Sequence, residues 1–275
     1  HSWYRRQRQM CIRDSKYEGT GNDFVIIDNR DLKFQKDNNE LIQNICDRKK
    51  GVGADGLILL ENHDELYFSM IYFNADGSES GFCGNGSRCI THLSNNLNII
   101  NDNAKFNAID GIHESKITNG RISVKMNDVL KSEIFKYNDK YSTTFVDTGS
   151  PHLIRIYENI DSIDIVKEAR ELKLIYSEYT NGLNINFCQI SDSKIKLRTY
   201  ERGVEDETLS CGTGAVASAV FLKDSDLVSN DKIEILMKGG LLCVELNKEK
   251  NLFSDIWLSG EVNMVFKGGY NKFES

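Results

Sequence analysis

Two stretches of this sequence are near copies of each other. Gly81 to Cys89 reads GFCGNGSRC, and Thr208 to Val216 reads TLSCGTGAV. Each sets a cysteine, Cys83 or Cys211, directly before Gly-x-Gly and a segment that can be helical. Carboxylates lie upstream of both, Asp76 and Glu79 in one case and Glu205 to Glu207 in the other. A block that recurs once at this separation points to a chain folded as two similar halves, with one copy in each.

The repeated block also constrains chemistry. Glycines permit tight turns that aim consecutive N–H groups at one point. Where a helix follows, its first N–H groups lack internal partners and its N-terminus is partly positive. A cysteine there is expected to have a lowered thiol pKa. The same N–H groups can hold a carboxylate or a developing enolate. One such block suits a nucleophile or a single base. Two suit chemistry on opposite faces of one carbon, in which a thiolate removes a proton and a thiol supplies another. The weaker reading of Gly-x-Gly is a plain turn. A Walker-type phosphate loop would need Lys-Ser/Thr after the glycines, and neither block has it.

The wider composition narrows the class. A chain of 275 residues can hold two domains of ordinary size. Its net charge of −7 leaves no basic surplus for nucleic acid or an anionic membrane. No apolar run approaches the roughly 18 residues of a membrane-crossing helix. Seven cysteines, an odd number and widely spread, read as reduced thiols of a cytoplasmic protein. With no CxxC pair and five scattered histidines, no metal site is expected. Cys46, Cys89, Cys188 and Cys243 read as small buried apolar residues. Residues 1–15 carry Arg5, Arg6, Arg8 and Arg13 in an otherwise acidic chain and lack an apolar core. They are expected to be a non-native or disordered leader.

Along the chain, both halves follow one order: strand, helix, strands, Cys-Gly-x-Gly, helix, strands. In the first half, strands are expected at Phe24–Asp28 and 66–73, and helices at 38–51 and from Asn85 to about Leu97. Asn119-Gly120 reads as a hairpin turn. In the second half, strands are expected at 144–147, 152–157, 185–190 and 195–200, with a turn at Asp192-Ser193 and a helix at 163–173. The fold class is α+β, and the join between halves is expected near Asn119–Val129. Residues 16–120 form an N-terminal domain, to which a strand at 263–275 returns, and residues 121–262 form a C-terminal domain.

The motifs GTGNDF (19–24), NADGSESGFCGNGSRC (74–89), GSPH (149–152), NGLNINF (181–187) and YERGVEDETLSCGTGA (200–215) together resemble diaminopimelate epimerase. The resemblance spans nearly all of the chain after residue 15. It implies two pseudo-symmetric domains, each a mixed β-sheet curled into a barrel around a central helix, with the substrate in the cleft between them. It implies an isomerase, without cofactor, that interconverts LL-2,6-diaminopimelate and meso-2,6-diaminopimelate in lysine and peptidoglycan precursor synthesis. A homodimer is also implied.

Carried onto matching positions, the resemblance makes Cys83 and Cys211 the acid/base pair, with His152 and Glu201 as polar support. Gly84, Asn85, Gly212 and Thr213 would hold the carboxylate at the reacting carbon. Asn22, Asn74, Asn184, Glu201 and Arg202 would bind substrate, several of them at its distal end. Two positions depart from the family: Ser150 stands where Asn is often found, and Gly56 where Gln sometimes is. No binding role is carried to either. The competing readings are a proline or hydroxyproline racemase of the same architecture, and a thiol redox or binding protein that uses a Cys83–Cys211 disulfide.

Overall fold

The computed structural model describes residues 12–176, 182–191 and 194–270. The turn expected at Asp192-Ser193 lies outside these residues, as do positions 1–11. The expected leader is too long by four residues. Ile12 to Ser15 open the strand Ile12–Gly19, and their backbones pair on one side with Lys267–Tyr270. Asp14 and Ser15 also pair with Ile27 and Ile26 on the other side. Two ladders of backbone hydrogen bonds hold this segment, whatever its charge.

The first half starts with Ile12–Gly19 antiparallel to Asn22–Asp28, which runs parallel to Gly56–Glu61. Phe68–Asn74 then pairs antiparallel to Gly56–Glu61 and parallel to Asn103–Ala108. Gly111–Thr118 and Arg121–Lys125 complete the sheet, antiparallel in turn. The second half repeats this sequence of pairings. Thr144–Asp147 is antiparallel to Pro151–Ile156, which is parallel to Asn184–Ser191. Lys194–Glu201 pairs antiparallel to that strand and parallel to Lys232–Met237. Gly240–Lys248 and Leu252–Gly260 follow, again antiparallel.

The last strands of the two sheets meet. Arg121–Lys125 pairs antiparallel with Leu252–Gly260, Val124 opposite Leu258, and this is the seam between the halves. The strand Asn263–Tyr270 then leaves the second half and pairs with Ile12–Gly19. The turn at Asn119-Gly120 has φ of 51° and 77°. This is the left-handed pair that an Asn-Gly hairpin turn requires.

Each sheet carries one helix on each face. Helix α1 (Asn39–Cys46) is capped by the Asn38 side chain, which accepts from Leu41 N. It packs Leu41, Ile42 and Ile45 against Val25, Ile27, Leu57 and Leu59 on the outer face of the first sheet. Helix α2 (Gly84–Asn96) packs Cys89, Ile90 and Leu93 on the opposite face, against Phe24, Ile26, Ile58 and Leu60. A strand covered on both sides must be apolar at every position. GLILL at 56–60 meets that demand, and the strand Gly56–Glu61 is buried throughout, with Glu61 at its end paired to Lys36.

The second half does the same with α3 (Ile165–Ile175) outside and α4 (Gly212–Asp224) inside. Every residue of α4 from Gly214 to Asp224 is buried. A helix apolar all round belongs in the middle of a domain, and the two inner helices are the central helices of a mixed, curled sheet in each half.

Candidate active site

The two cysteines are the N-caps of the two inner helices, Cys83 for α2 and Cys211 for α4. Their backbones are extended, with φ/ψ of −117°/109° and −130°/109°. Each chain arrives as a strand and turns into a helix at the sulfur. The glycine three residues on lets a neighbouring side chain pack close in both cases. A Cβ at Gly86 would lie 2.8 Å from Ile58 Cδ1, and one at Gly214 would lie 2.5 Å from Asn186 Oδ1.

Both sulfurs open into one cleft of about 580 Å³. Of the residues picked out in the sequence, Asn22, Asn74, Cys83, Gly84, Asn85, Glu201, Arg202, Cys211, Gly212 and Thr213 line it. The helix starts converge there because Gly84 and Gly212 abut the same Leu258 side chain from the seam strand. Asn85 bridges the halves: its Nδ2 donates to Asn22 Oδ1 at 2.5 Å and reaches Ser210 Oγ at 3.5 Å. A side chamber of about 410 Å³ shares Phe82, Glu201, Arg202 and Thr213 with the cleft and adds Ser150 and His113.

Two expected site residues stand behind this wall. Asn184 spends its amide on structure: Nδ2 donates to Ser150 Oγ and Pro151 O, while Oδ1 accepts from Arg202 N at 2.9 Å. It fixes the arginine's backbone. His152 is fully buried on the strand next to Asn184. The side chain of Asn186 is oriented by Thr199, whose hydroxyl donates to Asn186 Oδ1. Asn186 Nδ2 must therefore donate to His152 Nδ1, at 3.1 Å, which leaves the imidazole proton on Nε2. Nε2 has no hydrogen-bond partner among the described residues. Burial, with the nearby Arg202 charge, lowers the His152 pKa to about 3.

The thiols depart from expectation. The helix N-termini do act on them: Gly86 N donates to Cys83 Sγ at 3.4 Å, and the Gly214 N–H favours the Cys211 thiolate. Burial outweighs this. It pushes Cys83 above the ordinary thiol range and Cys211 up to about 12, and the Glu201 charge adds to both shifts. Burial also raises the Glu201 carboxyl. Burial thus holds both sulfurs as thiols.

Several residues of the site carry no signal in the sequence. Asp55 and Tyr72 line the cleft, and Asn186 supports α4 from below. Arg88 is wholly buried in α2 and makes no ion pair among the described residues. Its Nη2 donates to Asn85 Oδ1 and Thr20 Oγ1, both at 2.9 Å, and so sets which way the Asn85 amide faces. Cys46, Cys89, Cys188 and Cys243 are free and buried, as small apolar residues.

A sequence profile of diaminopimelate epimerase matches residues 15–131 and 144–265. The chain belongs to the diaminopimelate epimerase family. A diaminopimelate epimerase of Flavobacterium psychrophilum is 46% identical over 256 residues, 92% of this chain and 97% of that one. One from Aquifex aeolicus is 34% identical over 269 residues, 92% and 95% of the respective chains. Among solved structures, a phenazine biosynthesis protein of Bacillus anthracis superposes with a TM-score of 0.74 at 14% identity, covering 94% of this chain and 98% of its own. A hydroxyproline epimerase from Agrobacterium vitis gives 0.64 at 12%, covering 99% and 95%. These two share the fold. The diaminopimelate epimerase family is thus the one to which both the sequence blocks and the full-length relatives point.

Proposed function

We propose that this chain interconverts LL- and meso-2,6-diaminopimelate by two-base chemistry at Cys83 and Cys211. The observation that carries this reading is the convergence of two cysteine-capped helices on one cleft, with both first-turn glycines against Leu258. A carboxylate at that point receives N–H groups from Gly84 and Asn85 on one side and Gly212 and Thr213 on the other. The same groups stabilise the carbanion as its charge moves onto the carboxylate.

One thiol gives up its proton to solvent as substrate enters. The ammonium groups of the substrate bring positive charge next to the sulfurs and offset what burial withholds. The resulting thiolate takes the α-proton, and the opposite thiol gives its own proton to the other face of the carbon. The first sulfur ends protonated and the second as thiolate, ready for the reverse direction. The scheme calls on no cofactor. Glu201 and Arg202 suit the amine and carboxylate of the distal end, Arg202 through a two-pronged contact. Asn22 and Asn74 supply further polar contacts. His152 and Asn184 serve as positioning residues.

The Glu201–Arg202 pair favours a long substrate with a second amino-acid end over proline or hydroxyproline. The division into two domains at the Arg121–Lys125 seam, a cytoplasmic setting and a homodimer complete the reading. Exposed Met264, Val265 and Phe266 on the returning strand supply an apolar edge for a second copy. The test is turnover in deuterated water. LL-diaminopimelate should acquire one deuterium at the inverted carbon as meso product appears, and unlabelled product would refute two-base chemistry.

A further inference from the structure

The wall of the cleft contains a phenol for which the scheme above has no use. Tyr72 lies on the strand Phe68–Asn74, between Ile58 and Ser80 of its neighbours. Its ring meets Phe24 edge-on, with centroids 6.0 Å apart. The ring occupies the space over Gly56. A Cβ on Gly56 would lie 2.5 Å from the Phe73 carbonyl oxygen, 2.5 Å from Tyr72 Cε2 and 3.1 Å from the Tyr72 hydroxyl oxygen. The missing side chain at residue 56 is what allows the ring to lie there.

Tyr72 is half-buried and lines the cleft with Cys83 and Asn22. Its hydroxyl makes no hydrogen bond among the described residues. A phenol with an apolar body packed and a polar tip unused needs a partner from elsewhere. Burial, with the nearby Asp55 and Glu201 carboxylates, holds it well above the usual phenol range. It is therefore neutral throughout the working range, able to donate one proton and to accept.

We propose that Tyr72 is a substrate-contact residue whose hydroxyl hydrogen-bonds to the substrate in the cleft, from a slot opened by Gly56. This rests on the two-thiol reading of the cleft. The occupant is a small polar substrate that fills the cleft between Cys83 and Cys211. The pair Gly56 and Tyr72 acts as one unit: a larger residue at 56 would evict the ring.

The test is Tyr72→Phe, which removes one oxygen and keeps the packing. With diaminopimelate as substrate, kcat/KM should fall about tenfold, the loss of one hydrogen bond, while Tm stays within about 1 °C. Gly56→Ala should lower both kcat/KM and Tm, because its Cβ would meet the Phe73 carbonyl as well as the ring. A Tyr72→Phe enzyme with kcat/KM within twofold of wild type, or one that loses Tm without losing kcat/KM, overturns the inference. Failure of the wild-type protein to turn over diaminopimelate would instead reject the function proposed above, and the two results are read from separate measurements.

Discussion

Gly84 and Gly212 press on the same atom: a Cβ built on either would meet Leu258 Cδ2, at 3.2 Å and 2.7 Å respectively. One side chain from the seam strand thus sets how closely both helix starts can approach. The contact is tighter at Gly212, so Gly212→Ala should be the worse of the two changes. Overpacking of this kind costs about 1–3 kcal/mol. Steady-state kinetics and Tm on both alanine variants check the order, and a larger loss for Gly84→Ala would show that Leu258 is not the shared stop.

Removing either sulfur should stop epimerisation. Cys83→Ala and Cys211→Ala are each expected to lower kcat by about 10²–10⁴-fold, the range for loss of a general acid or base. Both variants should fold, since each loses only a sulfur atom from the wall of an open cleft. Chiral chromatography of the product is the measurement. Wild-type turnover in either variant would remove that residue from the mechanism.

Arg88 separates stability from activity. It is a buried cation with no carboxylate, and its Nε has no hydrogen-bond partner among the described residues. Exchanging such a charge for a methionine of similar length is often neutral or stabilising. Its Nη2, though, fixes the amide of Asn85 in the wall of the cleft. Arg88→Met is therefore expected to keep or raise Tm while kcat/KM falls by up to ~10²-fold from misplacement. A variant that is active and less stable would reverse the assignment.

His152 gives the protein a definite acid sensitivity. Its pKa is lowered to about 3 by burial, against about 6.5 for an unfolded chain. A group depressed in this way contributes its stability in full above about pH 6.5, and loses it as pH falls toward 3. The slope is about 1.4 kcal/mol per pH unit, so roughly 2 kcal/mol is lost at pH 5 from this residue alone. Urea unfolding at pH 7 and pH 5 measures it. His152→Asn should lose less between the two, and equal losses would mean that other groups carry the acid sensitivity.

The parts of the fold that could be read from the sequence are those fixed locally. Asn38 ahead of Leu41 and Ile42, and Asn119-Gly120 between alternating strands, need no distant partner to be recognised. Cys83 and Cys211 could be read because a helix start is written in the few residues around it. What remained hidden depends on the other half of the chain. The thiols are held up because burial is a property of the closed structure, stronger here than the N–H groups of a first turn. Asn184 and His152 stand behind the wall because their strand neighbours, Ser150 and Asn186, claim their polar atoms. Tyr72 could not be singled out, since the space it fills belongs to Gly56 on the adjacent strand. Ser15 looked like part of a basic leader, and only its pairing with Ile26 and Lys267 shows it to be sheet.

The strand Asn263–Tyr270 comes late in the chain and is laid beside Ile12–Gly19, which comes early. During synthesis, then, the earlier sheet waits with an open edge while the later one is being made, and its outer row of backbone groups finds partners only near the end. Maturation cannot run simply from front to back. Loss of those eight residues would reach the opposite end of the chain, as an unpaired margin open to other molecules.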